Sequence, residues 1–425
     1  MKVLVVSNNS FSNVYNMGKT IKSIFSEFHK DEVCQIFFND LDDLDTDSCD
    51  NYFIIRDKDV LRSVQKPWTR AGNIYECCQC DCRINKSDKK SHRIKRNSFT
   101  QILREIVWSL GRLNYNELFK WIRVQDPDVI FFVGGYAIFA HRLVEKIHRE
   151  FNIPVAVYFT DDYVIYPKRT LYRRYLIKVY KRTLEYASQY FAIGKQMAQE
   201  YTDFFGKRFI SIMNIVDYQD RIPMRRSFVI NISYFGSLYY NRCESIINFA
   251  RLLDDYVKPH LKNKYTINVF SSSELTREQR IQFDHYNIEY RGFVKGADFT
   301  EAMHVADIYL HIESESEEYR ALTHLCVSTK IPEYLMSYRP SIAFGPAEVA
   351  SMKLYEEIDS RMVIPTEMDD MTRLLAIKNI ANIINDYSMR EEIAEKCYNY
   401  ACENFRKDVV SKEFKRNIAM TIKEF

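Results

Sequence analysis

A chain of 425 residues is too long for one ordinary hydrophobic core, so two domains of roughly 150–200 residues each are expected. A hydrophobic fraction of 46% and a charged fraction of 28% exclude a disordered chain, and a net charge of +3 argues against a nucleic-acid partner. The first apolar run, Val3 to Val6, stops at Ser7-Asn8-Asn9, far short of a secretion signal. The longest, 129–140, contains Gly134-Gly135 and is too short to span a bilayer. A cytoplasmic protein with reduced cysteines follows.

In chain order, KVLVV reads as a buried parallel strand, and the polar loop SNNSFSN leads through Gly18 to a helix marked by Ile21, Ile24, Phe25 and Phe28. VCQIFF gives a second strand. From about 40 to 98 no period is sustained, which reads as an insertion. It holds Cys77, Cys78, Cys80 and Cys82 and a cationic stretch from Arg83 to Arg96. The cysteine spacing meets only half of a structural zinc pattern, so no metal is expected there.

Helices are expected at about 99–110 and 114–124, then the strand VIFFV ending at Gly134-Gly135 and a helix over about 137–150. The strand VAVYF follows and ends at Thr160-Asp161-Asp162. A basic helix over about 168–188, the strand YFAI and a helix over about 195–205 complete a first domain, 1–217. After the aperiodic YQDRIPMRRS, a second alternating set covers 225–404: INISYFG, YTINVF, IEYRGFV, ADIYLHI and SIAFG as strands, with helices between and after them. A last helix, 408–425, is expected to rejoin the first domain. Strands alternating with helices in this way indicate α/β, doubly wound sheets.

Ligands of such sheets bind beyond the carboxyl ends of the strands. Ser7, Asn8, Gly18, Gly134, Gly135, Asp161, Asp162, Gly236, Ser237, Phe293 and Val294 lie at those ends or in the loops that follow them. So does the run VSTKIPEYLMSYRP. Its Ile331, Tyr334, Leu335 and Tyr338 repeat at helical spacing, and Pro332 suits a first turn. Ser328 and Thr329 stand where a cap belongs. Free amides there, with roughly +0.5 of helix-end charge, would receive phosphate oxygens. Lys330 adds a full charge, and Glu333 on the same turn could accept hydrogen bonds from ribose hydroxyls.

STKIPEYLMSYRPSIAFGP resembles the donor-site motif of GT-B glycosyltransferases, in particular the family-four type that builds bacterial surface polysaccharides. YFGSLYYNRCESI resembles the strand, loop and helix that open their C-terminal domain, and RGFVKGADFTEAMHVADIYLHIE the stretch with their base-contacting loop. The likeness covers about 230 to 350, with YFTDDY the one echo in the first half. It implies two facing Rossmann-like domains with an interdomain cleft. It also implies transfer from a UDP- or GDP-sugar to a saccharide or lipid-linked acceptor, with retention of configuration; no metal cofactor is expected if a helix end, Lys and Arg stabilise the leaving diphosphate.

Carried over, the resemblance makes Glu333 the ribose ligand, Ser328 and Thr329 the diphosphate contacts, Arg242 a phosphate-neutralising cation with Lys330 a second, and the backbone at Phe293-Val294 the nucleobase seat. One departure stands out: where the family often has a further Glu, eight residues before Glu333, this chain has Leu325. A carboxylate of the run Glu313 to Glu318 replaces it, or that run is a solvated hinge, the reading its composition favours. Asp161 and Asp162 would hydrogen-bond or deprotonate an acceptor hydroxyl, or simply cap the next helix. A GT-B sugar-nucleotide epimerase and a catalytically silent GT-B scaffold are the alternatives.

The helix near 168–182 places Lys168, Arg169, Arg173, Arg174, Lys178, Lys181 and Arg182 among Tyr and Leu side chains. A peripheral contact with the anionic inner face of the plasma membrane would use such a helix, and a lipid-linked acceptor would account for it. A solvated helix face is the plainer reading.

Overall fold

Continuous apolar runs make strands that are covered on both faces, and such strands need helices on each side. The computed structural model describes residues 1–12, 16–39, 44–75 and 98–425, and these form two units: Met1–Ile212 with Asp408–Phe425, and Met213–Lys407.

The first unit begins with β1 (Val3–Ser7), α1 (Asn16–Ile24), β2 (Val33–Phe37), β3 (Asn51–Ile54), α2 (Asp57–Gln65) and β4 (Asn73–Tyr75). It continues with α3 (Ser98–Leu110), α4 (Tyr115–Gln125), β5 (Val129–Gly134), α5 (Ile138–Phe151) and β6 (Val155–Phe159). Then come α6 (Leu171–Tyr186), β7 (Gln189–Ala192), α7 (Gly194–Phe205) and β8 (Ile210–Ser211). The sheet order is β4-β3-β2-β1-β5-β6-β7-β8, parallel except for the antiparallel β3–β4 pair. Strand order reverses between β1 and β5, whose side chains Val3 to Val6 and Val129 to Phe132 are almost wholly buried.

The stretch expected to be an irregular insertion holds β3, α2 and β4, the edge of this sheet. It escaped the period because β3 has four residues and α2 buries only Val60 and Ser63, too little for an apolar stripe. The cysteines at 77–82 and the cations at 83–96 lie outside the described residues.

The second unit runs β9 (Val229–Phe235), α8 (Arg242–Leu252), β10 (Lys264–Phe270), α9 (Arg277–His285), β11 (Ile288–Gly292) and α10 (Ala297–Val305). It continues with β12 (Ile308–Ile312), α11 (Glu317–Thr323), α12 (Ile331–Met336), β13 (Ser341–Gly345), α13 (Ala350–Ile358) and β14 (Val363–Pro365). Helices α14 (Asp370–Asn385) and α15 (Tyr387–Asn404) close it. Its parallel sheet has the order β11-β10-β9-β12-β13-β14, so here the reversal falls between β9 and β12.

The last helix, α16 (Lys407–Lys423), returns to the first unit. Phe414 sits 5.1 Å from Phe25, 5.2 Å from Phe131 and 5.9 Å from Phe191, centroid to centroid. Among the described residues no helix is long and apolar enough to cross a membrane.

Candidate functional site

Where the strand order of a doubly wound sheet reverses, the connections leave in opposite directions and open a crevice at the carboxyl ends. In the second unit these ends carry Gly236 and Ser237 after β9 and Glu313 after β12. Gly236 admits the Tyr234 hydroxyl, which would lie 2.8 Å from a Cβ at that position and donates to the Ser237 carbonyl at 2.8 Å. Tyr240 and Asn241 then both take left-handed backbone, φ 60° and 62°, to turn the chain into α8. Asn accepts this conformation more readily than Tyr, and backbone strain of this kind gathers at ligand-binding turns.

Arg242 is the first residue of α8, and its Nη2 meets Glu313 Oε2 at 3.2 Å. The other carboxylate oxygen of Glu313 takes His311 Nε2 at 3.0 Å and the Ser351 hydroxyl at 2.8 Å. Glu313 is only 2% exposed. Burial pushes its carboxyl up, but the Arg242 charge and the bonds from His311 and Ser351 win, and the group falls to about 2. Glycine at 345 makes room, because a Cβ there would come within 2.7 Å of Glu313 Cβ. Arg242 Nε has no hydrogen-bond partner among the described residues.

The acidic run 313–318 is therefore not a solvated hinge throughout. Glu313 and Ser314 are buried, Glu315 accepts from Asn248 Nδ2 at 2.7 Å, and only Glu317 and Glu318 are exposed or nearly so. Strand geometry explains this: residues 311 and 313 continue one face of β12, and that face is covered. Leu325, at the position of the missing Glu, is fully buried.

The α12 turn is tied to the end of β9. The Tyr334 hydroxyl donates to the Phe235 carbonyl and accepts from the Phe235 amide, both at 3.1 Å, and its ring stacks on Tyr309 at 4.5 Å. The first turn of α12 thus stands beside the loop of Gly236. There Lys330 Nζ meets Glu333 Oε2 at 3.3 Å and lies 4.6 Å from the Phe299 ring centroid. Thr329 is held through its carbonyl, which accepts from Asn214 Nδ2 at 3.0 Å.

Ser328 and Thr329 do not cap the helix, contrary to expectation. Lys330 takes the cap position in helical backbone, without a side-chain cap bond. Ser328 Oγ accepts from the Lys330 amide at 3.4 Å, and its carbonyl accepts from the Ile331 amide at 3.1 Å. With six residues α12 sums few peptide dipoles, so the positive field here comes from Lys330 and Arg242 more than from the helix end. At the edge of the same sheet, Gly292 turns the chain with φ 72°, leaving Phe293 exposed and Val294 packed against the cluster of Phe235, Tyr309 and Tyr334.

In the first unit, the candidates at the ends of β1, β5 and β6 come together, since those strands are neighbours. Ser7 Oγ donates to the Asn9 carbonyl and accepts from Gln35 Nε2, while the Asn8 carbonyl accepts from the amides of Phe38 and Asn39. Gly18 lets α1 approach the loop, where a Cβ would meet the Ser10 carbonyl at 2.5 Å. Gly134 lies under the Phe159 ring, whereas a Cβ at Gly135 would meet the Tyr163 ring at 3.9 Å, and Gly135 offers its carbonyl to the buried His141.

Asp162 accepts from the amides of Val164, Ile165 and Tyr166 and from the Tyr201 hydroxyl, all within 3.0 Å. Four donors fill a carboxylate, and this one is 2% exposed, so Asp162 builds the turn and does not serve as a base. Asp161 is half-buried and meets Thr160 Oγ1 and the Tyr163 hydroxyl at 3.4 Å each. Sequence reasoning missed His311, Ser351 and Asn214. The only available signal was His-Ile-Glu at the end of a buried strand. Among the described residues no group of three or more His, Cys, Asp or Glu is placed to hold a metal ion.

No family model matches this sequence, and no curated protein matches it. Solved structures do. A glycosyltransferase from Rickettsia africae is 11% identical, with 99% of this chain and 98% of that chain covered and a TM-score of 0.59. The apo form of the lipopolysaccharide outer core galactosyltransferase WaaB is 12% identical over 99% of both chains, TM-score 0.56. An E. coli trehalose-6-phosphate protein bound with UDP-2-fluoro glucose is 11% identical over 98% of this chain and 99% of that chain, TM-score 0.52. At such identities the likeness is one of fold, and the fold is GT-B, with two Rossmann-like domains.

Proposed function

We propose that a GT-B chain with this charged crevice is a glycosyltransferase that moves a sugar from a UDP- or GDP-sugar to a saccharide or lipid-linked acceptor in surface-polysaccharide synthesis. The observation that carries the reading is the convergence of Arg242, Lys330 and Glu333 at the reversal point of the second sheet. The two cations would take up the charge that develops on the departing diphosphate, the kind of fixed electrostatic support that dominates many enzymes. Glu333 would accept from the ribose hydroxyls, each charge-assisted bond contributing about 1.5–3 kcal/mol. Phe293 and Val294 would border the base. A structure similar in fold carries a UDP-sugar analogue, and another is named a lipopolysaccharide galactosyltransferase, which supports this donor and acceptor class.

The acceptor is assigned to the first unit, where Asp161 would orient its hydroxyl beside Gly135. Retention of configuration and independence from metal are part of the proposal, since Arg242 and Lys330 offer the charge a metal would otherwise supply. The Arg242–Glu313 pair favours one rival, a silent scaffold, because it already neutralises one of the cations. Incubation with a panel of nucleotide sugars and saccharide acceptors tests both. A glycosylated acceptor with released UDP or GDP is the expected product. An isomerised nucleotide sugar without transfer would indicate an epimerase, and no turnover with any donor would favour the scaffold.

A further inference from the structure

We infer that the α3–α6 face of the first unit docks on an anionic lipid surface. Helix α3 leaves Ile102, Leu103, Ile106 and Leu110 between 43% and 63% exposed, a single apolar row facing solvent. Trp68, 79% exposed, lies near the end of that row, since Arg112 binds the Pro67 carbonyl at 2.7 Å. Soluble monomers rarely display such contiguous apolar rows without a partner.

Charge selects the partner. Across a groove of about 270 Å³, lined by Ile102, Ile106, Ile138, Tyr172 and Tyr175, helix α6 presents Arg174, Lys178 and Lys181 to solvent. None of these three has an acidic partner among the described residues. The other charges on this face are largely engaged: Glu145 holds Arg149 and Arg182, Arg142 donates to the Tyr175 hydroxyl, and Glu105 caps α5 through the amides of Ile138 and Phe139. Arg173 is turned inward onto the carbonyls of Val164 and Ile165. An apolar row flanked by unneutralised cations and an exposed Trp matches the acyl boundary and headgroups of an anionic bilayer. A water-soluble acidic protein would meet the cations but leave the row without a counterpart.

The test uses the full chain and vesicles of phosphatidylcholine, with or without roughly a third phosphatidylglycerol, at about 0.15 M salt. Wild type is expected to sediment with the anionic vesicles and not with the neutral ones. Arg174→Gln with Lys178→Gln and Lys181→Gln should lower the partition coefficient by about a hundredfold. Ile102→Ser with Ile106→Ser and Leu110→Ser should lower it by about tenfold while leaving its salt dependence unchanged. Nucleotide binding should persist in both variants, which separates this inference from the proposed donor site. Equal binding to both lipids, or none by wild type, overturns it without recourse to any variant. So does a lipid-free dimer in ultracentrifugation that the serine variant dissociates, which would give the face to a second copy of the chain.

Discussion

At the scale of single residues, buried carboxylates divide into those that build and those that serve chemistry. Asp162 belongs to the first kind, so Asp162→Ala should cost several kcal/mol, because three backbone amides and a phenol lose their acceptor together. Asp161→Ala should stay within about 0.5 kcal/mol of wild type in urea melts while reducing sugar transfer. Equal stability of the two variants would contradict the division. Glu313 makes a second case. Its folded value, about 2, lies below the ordinary 4.5, so its ionised form stabilises the fold above the ordinary value and that contribution fades as pH falls toward 2. Glu313→Gln leaves the half-buried Arg242 without its countercharge and should cost about 3 kcal/mol at neutral pH. It should also flatten the loss of stability between about pH 5 and pH 2, read from unfolding midpoints across that range. An unchanged acid limb would remove Glu313 from the account. Lys330 and Glu333 were legible in the sequence because they share one turn. The Arg242–Glu313 pair joins residues 71 positions apart, and no local period carries that information.

Secondary-structure elements were legible where burial covers two faces. VLVV after Lys2, VIFFV and VAVYF read as strands because their apolar residues run without a break, and α16 begins one residue before the place its pattern indicates. Elements that are short or bury little escaped: the four-residue β3, β4 and α2 near a sheet edge, and the two-residue β8. The cap expected of Ser328 and Thr329 failed for a different reason. Their residue types suit a cap, but the helical turn already begins at Lys330, and its amides find Ser328 first. The reach of α16 is a testable matter at this scale. Phe414 is 1% exposed within a cluster of Phe25, Phe131 and Phe191, so Phe414→Ala should destabilise the first unit by about 3–5 kcal/mol. Hydrogen exchange should quicken in β1 and β5 and stay unchanged in β9 and β12. Equal acceleration in both sheets would show that α16 does not belong to the first unit alone.

For the whole molecule, each sheet reverses its strand order once, and each reversal gathers the residues singled out from the sequence: Ser7 with Gly134 in one unit, Gly236 with Glu313 near Lys330 and Glu333 in the other. The alternation of strands and helices disclosed both sheets, whereas their strand order emerged only from the pairing. The account stands or falls on the second crevice holding a nucleoside diphosphate. Calorimetric titration of UDP and GDP into the intact chain, beside Glu333→Ala and Arg242→Ala, tests that most directly. Saturable heat with one of the two nucleotides, weakened more than tenfold in each variant while circular dichroism is unchanged, is the predicted result. Binding of equal strength in wild type and both variants, or no heat with either nucleotide, would contradict it.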